Sequence, residues 1–342
     1  MREVVARAPG KVILFGEHAV NRGQAALSAA VGMYCECVVG VGSGGGVEFV
    51  SGGRVARVGV AEVLAAGAVV DGMLASGDFG GVRAIARADF FAPQKYVLSK
   101  AMSGCVVEGL RLKWSSDVPA NSGLGSGGSA FVAMVGAVAG LLCPGMGLGE
   151  RAAAGHLGDV VAHGGIASAL DTQTSLLGGV IRFTGSGLAE AVEVAGGLRL
   201  VVAHCGMAAA TGEVNGRVRE WLAMDEAARL PLIRTVGALT RAAVPALRRG
   251  DWAEVGRLML LNQLVLDRIG VNTVETGRLV EVALRAGAAG AKVSGSGGGG
   301  IVVAIAETEG DAERVEEALR RVAPMVIRPE VAVGGVAVEV RR

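Results

Sequence analysis

The chain has 342 residues, two domains' worth at about 150 residues each, and 51% of it is hydrophobic, which excludes a disordered chain. The 33 Lys and Arg against 32 Asp and Glu leave a formal charge of +1, which argues against a nucleic-acid binder working through a general basic face. Glycine is abundant at 56 residues, but without a Gly-X-Y period and with only 8 prolines, so collagen-like and Pro-rich linker readings fail.

In chain order, residues 12–15 read as a short apolar strand after a tight Pro9-Gly10 turn, and Lys11 and Glu17 beside it are foreign to a signal peptide. Alternation and β-branching predict strands at 33–40 and 110–114, the second ending in a turn at Ser115, Ser116, Asp117 and Pro119. A small-residue helix is expected over 129–142, stopped by Pro144 and Gly145. The stretch 118–149 carries no charge, but its helical part is too short to span a bilayer, so a buried core helix is the better reading. Another helix is expected at 149–163, then strands at 180–183 and 198–204. From Val214 the pattern turns helical. Over 251–269, Val255, Leu258, Met259, Asn262, Leu266 and Ile269 share one face, with Asn262 either a core amide or a site residue. A strand, Gly loop, strand unit at 288–304 and a helix at 311–322 complete an α+β pattern without internal repeats. The domain break is expected between 186 and 197. The five cysteines are scattered, with Cys35 and Cys37 the one close pair and no CxxC, so a reducing, cytoplasmic compartment is favoured over disulfides or structural zinc.

Four segments carry the chemistry. In DVPANSGLGSGGSAFVA (117–133), Gly123, Gly125, Gly127 and Gly128 permit unusual backbone angles immediately before a helix. Several N–H groups and the positive end of the helix dipole then converge on one spot, an anion site suited to a polyphosphate. Ser122, Ser126 and Ser129 add hydroxyls for phosphate or magnesium. The formal GxGxxG lacks the second strand and acid of a dinucleotide fold, the P-loop pattern is absent, and a purely structural Gly loop is the alternative. APGKVILFGEHAV (8–20) places Lys11 before an apolar run and Glu17-His18 after it. In ALDTQTSLLGG (169–179), Asp171 is either a turn cap or catalytic, and AKVSGSGGGGIVVA (291–304) is a second Gly loop between strands. No GxSxG elbow occurs, so a serine hydrolase has no support.

Together these segments resemble the GHMP kinases, and within them the mevalonate kinase family. The three GHMP motifs match 8–20, 119–130 and 292–300 in the expected order. GEHAV at 16–20, the NQxxLxxIGV-like Asn262 to Val271 and the GAxGAKxTGAGGGG-like run at 287–300 favour mevalonate kinase over galactokinase. The resemblance implies a two-domain α+β fold: an N-terminal ATP-binding domain (1–187) with an unusual left-handed βαβ phosphate-binding unit, and a ferredoxin-like C-terminal domain (188–342). It implies ATP-dependent phosphorylation of mevalonate with Mg2+, in a cytoplasmic homodimer that needs neither nucleic acid nor membrane. The alternatives are a phosphomevalonate kinase or another GHMP small-molecule kinase, a decarboxylase on the same fold, and a silent nucleotide-binding relative.

By the same resemblance, Asp171 is the catalytic aspartate that orients or deprotonates the substrate hydroxyl, and Lys11 neighbours it and stabilises phosphoryl charge. Pro119, Ser122, Gly123, Leu124, Gly125, Ser126, Gly127, Gly128 and Ser129 would hold ATP, while Ser126 and Asp159 would hold magnesium. Glu17, His18, Thr211, Gly297 and Gly298 would line the mevalonate site. Three departures stand out: GSGGSA replaces GSSAA at 125–130, so that Ser129 would bond phosphate in place of the lost hydroxyl; Thr172 follows the aspartate; and Asp159 replaces the usual Glu. Lys95, Lys100, Arg182 and Arg217 are the candidates for a basic pocket, should the acceptor itself carry phosphate.

Overall fold

Two long antiparallel strands, β1 (Glu3–Phe15) and β2 (Ala26–Val41), frame the first sheet in this computed structural model, which describes residues 3–42, 44–102, 109–120, 122–209 and 211–341. β1 lies between two partners, so Pro9, which has no N–H to give, falls where the register shifts between Pro9 and Gly10. The expected tight turn at this dipeptide is therefore an irregularity within a strand. The hairpin β3 (Gly46–Ser51) and β4 (Arg54–Val58) follows, and after it three helices: α1 (Val60–Ser76), α2 (Phe79–Ala88) and α3 (Ala92–Ala101). β5 (Gly109–Ser116) then pairs antiparallel with β2 and parallel with β3.

The helix expected from Ser129 begins three residues earlier as α4 (Ser126–Leu142), because Gly125, at φ 77°, caps it. Its run from Phe131 to Ala139 is wholly buried against β1 and β2. Among the described residues no helix is long and apolar enough to cross a membrane. α5 (Leu148–Ala162) and α6 (Leu170–Leu177) pack on α4, and β6 (Val180–Phe183) and β7 (Glu190–Ala191) extend the sheet from β2.

The second sheet begins with β8 (Arg199–His204) and continues, after α7 (Thr211–Met224), α8 (Glu226–Arg249), α9 (Trp252–Ile269) and α10 (Val274–Arg285), with β9 (Gly290–Ser294) and β10 (Ile301–Ala306). α11 (Glu309–Arg320) and β11 (Met325–Ile327) close it. Its spatial order is β11-β8-β10-β9, all antiparallel, so the fourth strand lies beside the first and the third beside the second, with α10 and α11 on one face. That is the ferredoxin-like order. The last strand, β12 (Ala337–Arg341), returns to the first sheet and pairs with β1. A shared apolar cluster joins the two halves, with Val12 and Leu14 of β1 in one core with Leu200 of β8, Met259 of α9 and Val303 of β10.

Candidate active site

Segments far apart in the chain converge on a cavity of about 910 Å3: the end of β1, the loop into α4, the start of α6, the start of α7 and the Gly-rich stretch after β9. The α4 loop rests on β1, since the Lys11 N–H donates to the Leu124 carbonyl at 2.8 Å. Ser122 braces the loop from inside, donating to the Pro119 carbonyl at 2.8 Å and accepting from the Leu124 N–H at 3.3 Å. The first intrahelical bond of α4 runs from the Ser129 N–H to the Gly125 carbonyl, so the N–H groups of the preceding turn have no intrahelical partner. Gly125, Ser126, Gly127 and Gly128 of that turn line the cavity. An open helix N-terminus on a cavity wall is an anion site.

Two carboxylates and a lysine stand beside it. Lys11 Nζ, 3% exposed, lies 3.1 Å from Asp171 Oδ1 and donates to the Gly123 carbonyl at 3.3 Å. Asp171 occupies the first turn of α6, where the helix dipole favours a negative charge. The missing side chains at Gly125 and Gly128 make this approach possible. A Cβ at 125 would sit 2.8 Å from Lys11 Cγ, and one at 128 would sit 3.0 Å from the Asp171 backbone carbon and Cβ. Asp159, on α5, is buried in the same wall, and its Oδ2 has no partner among the described residues. Burial pushes its carboxyl well above the ordinary range, repulsion from Asp171 adds to the rise, and Lys11 opposes it. A cation beside that orphaned oxygen would reverse this balance, so Asp159 and the Ser126 hydroxyl fit a magnesium held largely by nucleotide phosphates and water. Among the described residues no group of three or more His, Cys, Asp or Glu side chains is placed to hold a metal without such help.

Across the cavity, His18 has a left-handed backbone (φ 60°), a conformation uncommon outside glycine. Its Nε2 lies 2.8 Å from the Ser296 carbonyl, and since burial lowers its pKa, the neutral ring donates there. Thr211 Oγ1, at the start of α7, is 3.2 Å from Ser296 Oγ. The Glu17 carboxylate forms a fully buried ion pair with Lys292 of β9, whose ammonium also donates to the Val293 carbonyl at 2.6 Å. For both partners burial outweighs their mutual attraction, raising the Glu17 pKa and lowering that of Lys292.

Known proteins resemble this chain in sequence and fold. The family profile described as GHMP kinases N terminal domain matches residues 92–179, and that described as GHMP kinases C terminal matches 243–324. A curated mevalonate kinase of Methanothermobacter thermautotrophicus is 31% identical over 299 residues, covering 87% of this chain and 89% of the relative. One of Pyrococcus horikoshii is 30% identical over 317 residues, covering 90% and 89%. The chain belongs to the mevalonate kinase family of the GHMP kinases. Solved structures agree on the fold: L. major mevalonate kinase in complex with R-mevalonate has a TM-score of 0.74 at 24% identity, covering 96% of this chain and 95% of that one. Methanococcus jannaschii mevalonate kinase gives 0.74 at 20% identity, covering 98% and 96%. As a GHMP kinase, the protein is an ATP-dependent small-molecule kinase.

Of the residues expected from sequence, Lys11, Glu17, His18, Gly123, Gly125, Ser126, Gly127, Gly128, Asp159, Asp171 and Thr211 line this cavity. Pro119, Ser122, Leu124, Ser129, Gly297 and Gly298 are not among its lining residues. Ser129 is fully buried and donates to the Ser126 carbonyl at 3.2 Å, so its hydroxyl supports the helix turn where a phosphate contact was expected. The Gly298 N–H is taken by the Val271 carbonyl at 2.7 Å. Asn262 is fully buried in the core of α9, its amide without a partner among the described residues. None of the four candidates for a basic pocket, should the acceptor carry phosphate, lines the cavity. Lys95, Lys100 and Arg182 pair with Asp89, Asp71 and Glu190, and Arg217 lies against Gly298. The arginines on the cavity wall are Arg22, Arg83, Arg87 and Arg219, together with Asn21, Asn215, Ser294 and Ser296. The i, i+4 spacing of Arg83 and Arg87 on α2 was a readable signal only once α2 itself was known.

Proposed function

We propose that the protein transfers the γ-phosphoryl group of ATP to the primary hydroxyl of mevalonate, giving 5-phosphomevalonate and ADP. Phosphoryl transfer asks the protein for in-line placement and for positive charge where the transferring group develops negative charge. The open N-terminus of α4 would take the phosphates, with Gly125 to Gly128 on the wall and Ser122 holding the loop from behind. Lys11 would offset charge on the transferring phosphoryl group. Asp171 would orient the acceptor hydroxyl and receive its proton at a carboxylate oxygen. Bound magnesium, held by Asp159 and Ser126, would neutralise phosphate charge. His18, Thr211 and the Glu17 side of the cavity would take the acceptor. The observation that carries this reading is the 3.1 Å approach of Lys11 and Asp171 beside that helix N-terminus within one cavity.

The four arginines on the same wall favour a second reading, a phosphorylated acceptor such as phosphomevalonate. ADP release measured with R-mevalonate, phosphomevalonate, galactose and homoserine, each with and without magnesium, tests both. The proposal expects magnesium-dependent turnover highest on R-mevalonate. Preference for phosphomevalonate would transfer the assignment to the second reading, and no turnover on any acceptor would overturn both. A cytoplasmic homodimer belongs to the same reading, and sedimentation and cell fractionation check it.

A further inference from the structure

We infer that the Ser296 hydroxyl, together with that of Thr211, forms a two-oxygen clamp on the acceptor, making Ser296 a specificity-determining residue of this chain. The inference rests on the kinase reading above and deepens it. In the run at 287–300, Ser296 stands where the GAxGAKxTGAGGGG pattern that the run resembles has alanine. The added hydroxyl is not idle. Gly295 and Gly297 on either side have φ of 98° and 73°, and the turn they make brings Ser296 to the cavity wall. There three segments meet on one residue: His18 donates to its carbonyl at 2.8 Å, and Thr211 Oγ1 lies 3.2 Å from its Oγ.

Proton counting gives the clamp its chemistry. Two hydroxyls hold two protons, and one is used between them. When Thr211 donates to Ser296, the other proton faces the Gly297 carbonyl at 3.4 Å, a contact long enough to be surrendered to a ligand oxygen; when Ser296 donates to Thr211, the other proton is that of Thr211. The pair therefore offers one donor and several lone pairs, which matches an oxygen-rich hydroxy acid and not an apolar alcohol. A site built to bond a substrate oxygen discriminates strongly, because an acceptor without that oxygen leaves wall groups unpaired.

The test is calorimetric binding of R-mevalonate in the presence of a non-hydrolysable ATP analogue, to the parent and to Ser296→Ala, Ser296→Thr and Thr211→Ala. Loss of one neutral hydrogen bond predicts about five-fold weaker mevalonate binding for Ser296→Ala. Ser296→Thr, which keeps the hydroxyl, should restore affinity to within about two-fold, and affinity for the ATP analogue should be unchanged in all variants. The variant Ser296→Ala combined with Thr211→Ala should lose less than the sum of the two singles, since the hydroxyls act as a pair. Parent-like mevalonate affinity in Ser296→Ala, or an equal loss for the ATP analogue, overturns the clamp. Those results leave the kinase reading standing if the parent releases ADP with mevalonate. Absence of ADP release from the parent on every acceptor defeats that reading instead, whatever the Ser296 variants bind.

Discussion

Asp171 is the residue whose replacement separates binding from chemistry. Asp171→Asn keeps the size of the side chain and its place beside Gly128, so ATP affinity should hold while turnover falls by about 10²- to 10⁴-fold. Single-turnover kinetics with separately measured nucleotide binding would check it, and near-parental turnover would remove Asp171 from its assigned role. A pH dependence follows from the histidines. Burial depresses the pKa of His18, His156 and His204 below the ordinary 6.5. The unfolded chain therefore takes up protons that the folded chain refuses, so this stability is present in full above pH 6.5 and lost as pH falls through the lower folded values. Glu17 and Asp159 have the opposite sign, because their raised values make stability fall as pH rises above the ordinary carboxylate range. His156→Leu isolates one contribution: its unfolding midpoint should change less than the parent's between about pH 7 and pH 5. At this scale the sequence was most readable where chemistry and backbone share a short motif, as at Lys11, Asp171 and Gly125. It was silent on the placing of Arg83, Arg87 and Ser296 at the cavity wall, which depends on which distant segments face them.

Helices and strands pack closest where glycines meet. α9 crosses β9 with Gly256 against Gly290: a Cβ at 256 would fall 2.3 Å from the Ala289 backbone, and one at 290 would fall 2.3 Å from the Gly256 carbonyl oxygen. Backbone cannot yield as a flexible side chain does, so Gly256→Ala should lower stability by about 1–3 kcal/mol or more despite its better helix propensity. A lower urea midpoint with an unchanged slope would show it, and a parental midpoint would mean that α9 lifts off β9 at little cost. Legibility varied by element for physical reasons. α9 announced itself because Val255, Leu258, Met259, Leu266 and Ile269 form one buried stripe. α1 did not, because its alanines, valines and glycines surround the helix with little contrast between faces, and only Val63, Gly67 and Val70 are buried. Pro9-Gly10 looked like a turn because their local preference is for one, and the strands on both sides of β1 override it.

At the scale of the whole molecule, the Glu17–Lys292 pair links the segment just after β1 to β9 of the second sheet, with both side chains at 0% exposure. Removing one partner leaves the other charge buried, so Lys292→Met should cost about 3–5 kcal/mol. Glu17→Gln combined with Lys292→Met should be less destabilised than Lys292→Met alone, and a stability cycle by denaturant would measure the difference. The alternation of elements pointed to α+β, and the repeated Gly loops pointed to a composite site. The pairing of β12 with β1 had no sequence signal, since every residue of β12 is exposed and strand pairing at that distance leaves no local pattern. That pairing has a consequence for biosynthesis. Glu3 to Arg7 of β1 are matched by Arg341 to Ala337, so this part of the strand that carries Lys11 keeps one row of backbone amides and carbonyls without its mate until β12, far later in the chain, has been made. Through that interval the nascent sheet presents a bare margin to any neighbouring chain, and a chaperone's protection would matter most there.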